Sequence, residues 1–243
     1  MPYAKAGQRA DLLKIEETVE CTIIRRTNRF VVEVEVDGKP AKAYINNTGR
    51  LRELLQPGMR GHCLPNPTGR RTQLRLFAIN LHSLAAIIDT QLQMRALEEA
   101  LKRGLLPWCR NCRIIRRNPR LGSSILDYLI ERQGRETYTE VKSAVLAGPN
   151  GYAMYPDCPT QRGRRHILEL TRHAQRGGAA LIIFIAALPG AKAFKPYAKG
   201  DPEIPKLLRH AAQAGVEIKA IAMHYNPKKA TITLNNPNLP VKI

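Results

Sequence analysis

Glu140 and Lys142 are the residues whose types and spacing most directly suggest chemistry. They lie two positions apart in a segment, residues 138–142, whose alternation predicts a β-strand, and alternate residues of a strand share one face. A second predicted strand, residues 124–131, carries Asp127 just upstream. The sequence therefore predicts an acid and a base on one face of a sheet, with a further acid on the neighbouring strand.

The link between these two strands determines which residues face each other. If residues 133–134 form a two-residue turn, Asp127 lies opposite Glu140, with Cβ atoms about 4.5–5.5 Å apart. The same register pairs two glutamates, residues 131 and 136. That like-charge contact is unfavourable and argues for a looser turn.

Two carboxylates this close repel each other and need a positive charge between them. Mg²⁺ or Mn²⁺ suits this role, because Mg²⁺ typically binds one or two carboxylates together with waters and substrate phosphate. A lysine beside the metal would position the attacking water and help to deprotonate it, or would stabilise charge on the phosphate. We therefore predict metal-assisted phosphodiester hydrolysis by Asp127, Glu140 and Lys142, with Asp127 and Glu140 as metal ligands. The alternative is a solvated strand face, on which alternating charges are common.

A predicted helix over residues 160–177, capped by Thr160, carries a second cluster. Arg162 and His166 share one face, because residues four apart are neighbours on a helix, and Arg165 lies beside them. We expect all three to serve nucleic-acid binding, with arginine at the phosphate and His166 in a polar or proton-handling role. A solvated helix face would explain the same periodicity equally well.

The net charge indicates the kind of partner. The chain has 39 Lys and Arg against 20 Asp and Glu, and its formal charge of +19 favours a polyanion such as nucleic acid. Residues 102–120 contain seven basic residues and no acid, among them Arg116 and Arg117, which we assign to nucleic-acid binding. Solubility, or the adaptation of a whole proteome, is the alternative. A membrane partner is disfavoured, since no strongly basic amphipathic helix with a broad apolar face is visible.

The N-terminus and the cysteines favour a cytoplasmic protein. The N-terminus is polar, and the longest apolar run, residues 179–188, is too short to span a bilayer. Five unevenly spaced cysteines predict free thiols in a reducing compartment. The segment Trp108-Cys109-Arg110-Asn111-Cys112 looks like a redox motif, but the expected strand–helix context is missing, and no second Cys or His pair completes a zinc site.

The first 83 residues predict a small β-barrel domain that binds nucleic acid. Short strands separated by turns such as Asp37-Gly38 suit an oligonucleotide-binding (OB) fold, and an SH3-like barrel fits nearly as well. The expected strands cover residues 19–26, 30–36, 41–45, 59–64 and 73–81. Aromatic residues able to stack on bases are few: Tyr3, Phe30, Tyr44 and Phe77. Binding should therefore depend on phosphate charge, with little sequence preference and a steep fall in affinity with salt.

Residues 84–243 change to an α/β pattern and predict a second domain. Strands are expected at residues 84–88, 113–116, 124–131, 137–142, 179–188, 216–224 and 231–234, and helices at 90–103, 160–177 and 204–214. Thr90 is expected to cap the first helix and Gly104 to end it. The sequence does not determine the oligomeric state, and a homodimer is one of the open alternatives.

Six short motifs occur in order along the chain. They are Arg29-Phe30, Asn47-Thr48-Gly49, Leu126-Asp127-Tyr128, Tyr138-Thr139-Glu140-Val141-Lys142-Ser143, Tyr155-Pro156-Asp157 and Arg162-Gly163-x-x-His166-x-x-Glu169-Leu170. Together they resemble the sugar fermentation stimulation protein A family, from about residue 9 to the C-terminus.

The resemblance implies a DNA-binding protein of α+β or α/β class. An OB-like barrel would be followed by a mixed sheet flanked by helices, as in restriction endonucleases and other PD-(D/E)xK nucleases. Asp127, Glu140 and Lys142 match the core of those nucleases. The family name refers to sugar metabolism, and its members are often described as regulators. The competing hypothesis is therefore a non-catalytic DNA-binding regulator that keeps the nuclease fold.

The first-half motifs contribute to the expected DNA interface through Arg29, Asn47 and Thr48. Nucleases of this superfamily often add an acid from their first helix, for which Glu98 or Glu99 is available.

Three positions depart from the family pattern. Ile125 replaces an arginine two residues before the aspartate, which puts the efficiency of substrate positioning in question more than metal binding. Asn46 replaces a proline, and Asp89 replaces the asparagine that opens the first helix of the nuclease domain.

Overall fold

The computed structural model describes residues 9–66 and 72–243. The first strands are β1 (Ala10–Lys14), β2 (Val19–Arg26), β3 (Val31–Val36), β4 (Lys39–Tyr44), β5 (Arg60–Pro65), β6 (Leu74–Leu81) and β7 (Leu84–Ile87). The helices are α1 (Thr90–Lys102), α2 (Gln161–Gln175) and α3 (Glu203–Gln213). The remaining strands are β8 (Arg113–Arg117), β9 (Arg120–Leu121), β10 (Ser124–Ile125), β11 (Tyr128–Arg132), β12 (Arg135–Ser143), β13 (Leu146–Ala147), β14 (Tyr152–Tyr155), β15 (Ala179–Ala186), β16 (Ala193–Pro196), β17 (Glu217–Asn226) and β18 (Thr231–Asn236).

Strands β2 to β6 close into a small barrel. Their order is β4-β3-β2-β5-β6, and parallel pairing of Ala43 with Leu74 joins β4 to β6 and closes the ring. The predicted alternation of β3 is observed, since Val32 and Val34 are fully buried while Glu35 is exposed. The closed five-stranded barrel confirms the OB-like prediction.

Hydrogen bonding continues from the barrel into one mixed sheet. Strand β6 pairs with β7 and β7 with β17, and the order then runs β17-β15-β12-β11-β8. Strands β12, β15 and β17 are parallel, whereas β11 is antiparallel to both of its neighbours. Strand β1 also pairs with β18, which ties the start of the described chain to its last strand.

The helices cover the two faces of the mixed sheet, as expected. On one face, the Tyr128 hydroxyl donates to Glu98 of α1 at 2.9 Å. On the other, Tyr138 packs edge-on against His173 of α2, and α2 packs against α3. Strand β15 lies between the helix layers, which explains its uninterrupted apolar sequence. The mixed sheet with three flanking helices confirms the fold class.

Three local expectations are wrong. Asp89, not Thr90, caps α1, because Asp89 Oδ1 accepts a hydrogen bond from Leu92 N at 2.9 Å. The strand expected over residues 124–131 is interrupted, since Ser124–Ile125 folds back on Arg120–Leu121. Cys109 and Cys112 form a disulfide rather than two free thiols, whereas the three other cysteines are free.

Strands β1, β14 and β16 were not predicted. Each has four or five residues and is stabilised by a partner distant in sequence, as Ala10 pairs with Leu234. Within residues 9–66 and 72–243, no helix is long and apolar enough to cross a membrane.

Candidate functional site

The β11–β12 hairpin brings the two acids together. Gln133 and Gly134 both have positive φ, 53° and 73°, as a type I′ turn requires, and Glu131 pairs with Glu136 as the two-residue turn predicts. Tyr128 pairs with Thr139, so Asp127, one residue earlier, lies beside Glu140. The Asp127 carboxylate is fixed there, since its Oδ2 accepts a hydrogen bond from Val141 N at 2.7 Å.

The like-charge pair in this hairpin is compensated from the edge strand. Arg113 of β8 lies opposite Glu131 and donates to its carboxylate at 2.6 Å. The objection to the two-residue turn therefore disappears, because the third strand supplies the charge that the hairpin alone lacks.

Glu140 is almost completely enclosed, at 3% exposure. Its Oε1 accepts hydrogen bonds from His166 Nδ1 at 2.6 Å and from Lys142 Nζ. Its Oε2 is buried and has no hydrogen-bond partner in the part of the chain that the structure describes. One oxygen therefore orients the carboxylate, whereas the other forms no hydrogen bond within the described chain.

Burial and neighbouring charges shift the pKa values of Asp127, Glu140 and Lys142. Burial and the neighbouring Glu140 charge raise the pKa of Asp127 to about 7. Burial also raises the pKa of Glu140, but Lys142 and His166 outweigh it, so this pKa lies below its usual value. Burial lowers the pKa of Lys142, but Glu140 outweighs it and keeps the pKa raised. The site thus combines the Glu140–Lys142 ion pair with an acid, Asp127, whose pKa is about 7.

His166 holds Glu140 through a hydrogen bond and is itself buried. It is 1% exposed, and its Nε2 accepts from Arg162 Nε at 3.3 Å. With Nε2 acting as acceptor, Nδ1 carries the proton that is donated to Glu140. The sequence predicts that His166 contacts nucleic acid directly. In the structure His166 is buried and contacts Glu140 instead. Helical periodicity shows that Arg162 and His166 share a face, but not that this face is docked on the sheet.

Local sequence fixes the start of α2 beside the hairpin. Thr160 caps the helix as predicted, with its Oγ1 accepting from Gly163 N at 3.0 Å. Gly163 permits a close approach to β14, because a Cβ at this position would lie 2.6 Å from the Tyr155 hydroxyl oxygen. The first turn of α2 thereby reaches the site and brings Arg162 to its edge.

The site opens into a cleft of about 330 Å³ between the barrel and the mixed sheet. We call Asp127, Glu140 and Lys142 the floor. We call the side formed by Arg29, Asn47, Thr48, Gly49 and Leu51 the barrel wall. The segment from Tyr155 to Gly163, at the start of α2, forms the facing side.

The barrel wall is braced from within the barrel. The Arg26 guanidinium donates to the carbonyls of Gly49 at 2.6 Å and Arg50 at 2.7 Å. Asn47 is buried, and its amide donates to Ile88 O at 3.2 Å while its Oδ1 accepts from Gly49 N. Both polar ends of Asn47 are thus occupied, and Asn47 shapes the loop. Arg29 and Thr48 are exposed and can contact a ligand.

Asp157 joins the two sides of the cleft, a role that the sequence did not suggest. Its Oδ2 accepts a hydrogen bond from Leu51 N, 106 residues away in sequence, at 2.9 Å. The Tyr155-Pro156-Asp157 motif identified the residue but not its partner, because nothing local connects it to the barrel. The cleft therefore has two sides fixed to each other at one end.

Other predicted residues lie outside the cleft. Arg117 pairs with Glu98 at 2.7 Å on the α1 face, so Glu98 is occupied on the side of the sheet opposite the floor. Arg116 pairs in register with Leu129 and so points to the α2 face, the side of the floor. Arg165 is exposed on α2 and does not line the cleft.

Glu99 is also occupied elsewhere, with Arg103 at 4.0 Å. The residue of α1 that lines the cleft is Thr90. Within residues 9–66 and 72–243, no group of three or more His, Cys, Asp or Glu side chains could hold a metal ion. A cation at the floor would therefore have two carboxylates as its side-chain ligands.

Two departures from the family pattern contact each other. Asn46 Nδ2 donates to Asp89 Oδ1 at 2.8 Å, and Asn46 Oδ1 accepts from Thr90 N at 2.9 Å. Arg75 of the barrel lies 3.1 Å from the second Asp89 oxygen. Asn46 and Asp89, which replace the proline and the asparagine of the family pattern, thus form a polar contact between the barrel and the first turn of α1.

Two family models match the chain. The model described as the SfsA N-terminal OB domain matches residues 24–88. The model described as the sugar fermentation stimulation protein RE domain matches residues 91–229.

Similar proteins cover almost the whole chain. A sugar fermentation stimulation protein homolog of Pyrococcus furiosus is 48% identical over 213 residues, or 88% of this chain and 92% of the relative. A homolog of Archaeoglobus fulgidus is 46% identical over 232 residues, or 96% and 99%. The solved structure of Pyrococcus furiosus SfsA in complex with Ca²⁺ matches with a TM-score of 0.92 at 46% identity, covering 96% of this chain and 100% of that chain.

Proposed function

Since the chain belongs to the sugar fermentation stimulation protein (SfsA) family, we propose that its cleft is a metal-dependent nuclease site that hydrolyses phosphodiester bonds in DNA. One observation carries the proposal: Asp127 and Glu140 lie side by side on the cleft floor of a chain with a formal charge of +19. A site that only bound phosphate would gain nothing from two acids, because they repel phosphate unless a cation lies between them.

The floor fits a hard divalent cation such as Mg²⁺ or Mn²⁺. Glu140 Oε2 is buried without a hydrogen-bond partner in the described chain, an arrangement that costs free energy unless a ligand uses it. Asp127 has a pKa of about 7, so a nearby cation would keep it ionised. Two carboxylates suffice for Mg²⁺ when waters and substrate phosphate complete its coordination. The Ca²⁺ in the Pyrococcus furiosus relative supports a divalent cation, since both ions take oxygen ligands.

When bound, the cation would polarise the phosphate and lower the pKa of a coordinated water. The chain's own residues supply orientation and charge. Lys142 keeps its proton at neutral pH, so it acts as a cationic donor to phosphate or to the attacking water rather than as a base. His166 holds Glu140 in one orientation through the 2.6 Å hydrogen bond.

Phosphate positioning falls to residues at the edge of the floor. Arg162 lines the cleft in the first turn of α2, where a guanidinium and the positive end of the helix dipole both favour an anion. Arg29 and Thr48 line the opposite side and are exposed. These are contacts to phosphate rather than to base edges, which supports binding with little sequence preference.

The experiment is cleavage of end-labelled single- and double-stranded DNA and RNA with Mg²⁺ or Mn²⁺. Wild type is compared with Glu140→Ala and Lys142→Ala, and binding of the same strands is measured in parallel. We expect both variants to bind and neither to cleave.

The competing function, a non-catalytic DNA-binding regulator, makes a different prediction. Wild type and both variants would then bind equally and show the same background cleavage. That result would contradict the nuclease proposal.

A further inference from the structure

The shape of the cleft and one exposed aromatic residue beside it bear on the kind of strand that the site accepts. We infer that the cleft takes a single strand, with Phe30 stacked on a base next to the phosphate held at the floor. This inference rests on the proposed function, because it concerns the substrate of the same site.

The floor lies in a small cleft between the barrel and the mixed sheet. Glu140 is 3% exposed, and the cleft above it measures about 330 Å³, near the small end of the range for small-molecule pockets. The hydrogen bond from Leu51 N to Asp157 Oδ2 joins the two sides and limits how far they can separate. A phosphodiester would reach the floor between the barrel and the sheet, and the small cleft favours a strand whose bases are unpaired.

Phe30 adjoins the barrel wall in sequence and through its backbone. It follows Arg29, which lines the cleft, and the Arg29 guanidinium lies 5.8 Å from the Phe30 ring centre. The Phe30 carbonyl accepts from Ile45 N at 2.9 Å, two residues before Asn47 of the barrel wall. Phe30 thus lies next to the barrel wall, with the Arg29 cation, which we propose binds phosphate, beside its ring.

Phe30 is exposed yet held in place. Its side chain is 45% exposed, while its backbone N donates to Asn28 Oδ1 at 2.8 Å. Arg26 further fixes the hairpin by donating to the carbonyls of Asn28 at 3.0 Å and Arg29 at 2.8 Å. Single exposed apolar side chains are common, but the backbone of this one is fixed beside the cleft. The Arg29 guanidinium lies over one face of the ring, so a base would stack on the ring surface that remains exposed.

The other aromatic residues of the described barrel do not offer such a face. Phe77 is fully buried and Tyr44 is half-buried. Stacking is therefore assigned to Phe30, which changes the sequence-based expectation that binding depends on phosphate charge alone.

The test measures binding of three labelled DNA probes by fluorescence anisotropy, in the Glu140→Gln background so that strands stay intact. The probes are a single strand, the matching duplex, and a single strand of equal length whose sugars lack bases. Phe30→Ala and Phe30→Trp are compared with Ile24→Ala, which removes a barrel side chain of similar exposure, 37%, that does not line the cleft.

Single-strand affinity should exceed duplex affinity, and Phe30→Ala should weaken single-strand binding by roughly 5- to 100-fold. The baseless strand should bind Phe30→Ala and the unsubstituted protein equally, because it has nothing to stack. Phe30→Trp should restore affinity, and Ile24→Ala should leave it unchanged.

Equal losses on the normal and baseless strands, or no loss on either, would overturn the stacking assignment. Duplex affinity equal to or above single-strand affinity would overturn the single-strand assignment. Neither outcome depends on catalysis. Failure of the nuclease proposal is seen separately, as a wild type that binds strands but does not cleave them with Mg²⁺ or Mn²⁺.

Discussion

The floor and the barrel wall face the same cleft but are built in opposite ways. Glu140 of the floor is enclosed, with one carboxylate oxygen committed to His166 and Lys142. Arg29 and Thr48 of the barrel wall are exposed, and only the backbone beneath them is braced by Arg26. The floor thus fixes its side chains, whereas the wall fixes a loop and leaves the side chains of Arg29 and Thr48 exposed.

This difference separates two tasks. Chemistry requires charges that are already oriented, because reorganisation during the reaction raises the barrier. Binding a polyanion of variable sequence requires exposed cationic and stacking groups that adapt to each strand. We therefore expect floor substitutions to change turnover or metal affinity and wall substitutions to change strand affinity. The following predictions test that separation.

Glu140→Gln should have the largest effect. It removes a charged metal ligand while keeping the shape of the side chain, so cleavage should fall by about 1,000-fold or more. Strand binding should stay within a few-fold of wild type, as measured on the same DNA probes. Glu136→Gln is the matched control, because Glu136 lies on the same strand but is exposed. Comparable loss of cleavage in both variants would contradict the role of the floor.

His166→Ala should weaken the apparent Mg²⁺ affinity by about 10- to 100-fold, the usual effect of removing a group that orients a metal ligand. His166→Asn should recover part of the loss, since its amide can donate to Glu140 in place of Nδ1. Cleavage rates measured across Mg²⁺ concentrations separate this effect from misfolding. His210→Ala, an exposed histidine of α3, serves as the control. A lower maximal rate with unchanged Mg²⁺ dependence would argue against positioning.

Metal affinity should depend on pH through Asp127. Its pKa in the metal-free protein is raised to about 7, so below pH 7 a cation must displace a proton. Mn²⁺ affinity should therefore rise by about tenfold from pH 6 to pH 8 and level off above pH 7. Calorimetric titration across this range tests the prediction, and Asp127→Asn should abolish the dependence. A wild-type affinity that does not change between pH 6 and pH 8 would contradict the assignment.

Arg29→Ala should have the smallest effect. Losing one phosphate contact should reduce the slope of log affinity against log salt by about 1 and weaken strand binding only a few-fold. Metal affinity should not change. Arg209→Ala, an exposed arginine on α3, is the control and should leave the slope unaltered. If Arg29→Ala instead changed Mg²⁺ affinity, the proposed division between a metal-binding floor and a strand-binding wall would be wrong.

Local patterns predicted the geometry of the β11–β12 hairpin, which the structure shows. Alternation placed Glu140 and Lys142 on one face, and two turn residues with positive φ set the register that brings Asp127 beside them. Each of these features acts over a few residues, so a sequence can reveal it.

The contacts between segments that are distant in sequence could not be predicted from local patterns. Asp157 meets Leu51 across 106 residues, and β1 meets β18 across the whole described chain. Whether Arg162 and His166 face solvent or the sheet depends on how α2 docks, which periodicity does not specify. The Asn46–Asp89 contact is visible in sequence only as two separate departures from the family pattern.

The most direct measurement is anomalous diffraction from crystals soaked in Mn²⁺. We predict one strong Mn²⁺ peak between the carboxylates of Asp127 and Glu140, with Glu140 Oε2 among its ligands, and no such peak in Glu140→Gln crystals. A floor that stays empty at saturating Mn²⁺, with Lys142 still paired to Glu140, would contradict a metal-dependent nuclease site.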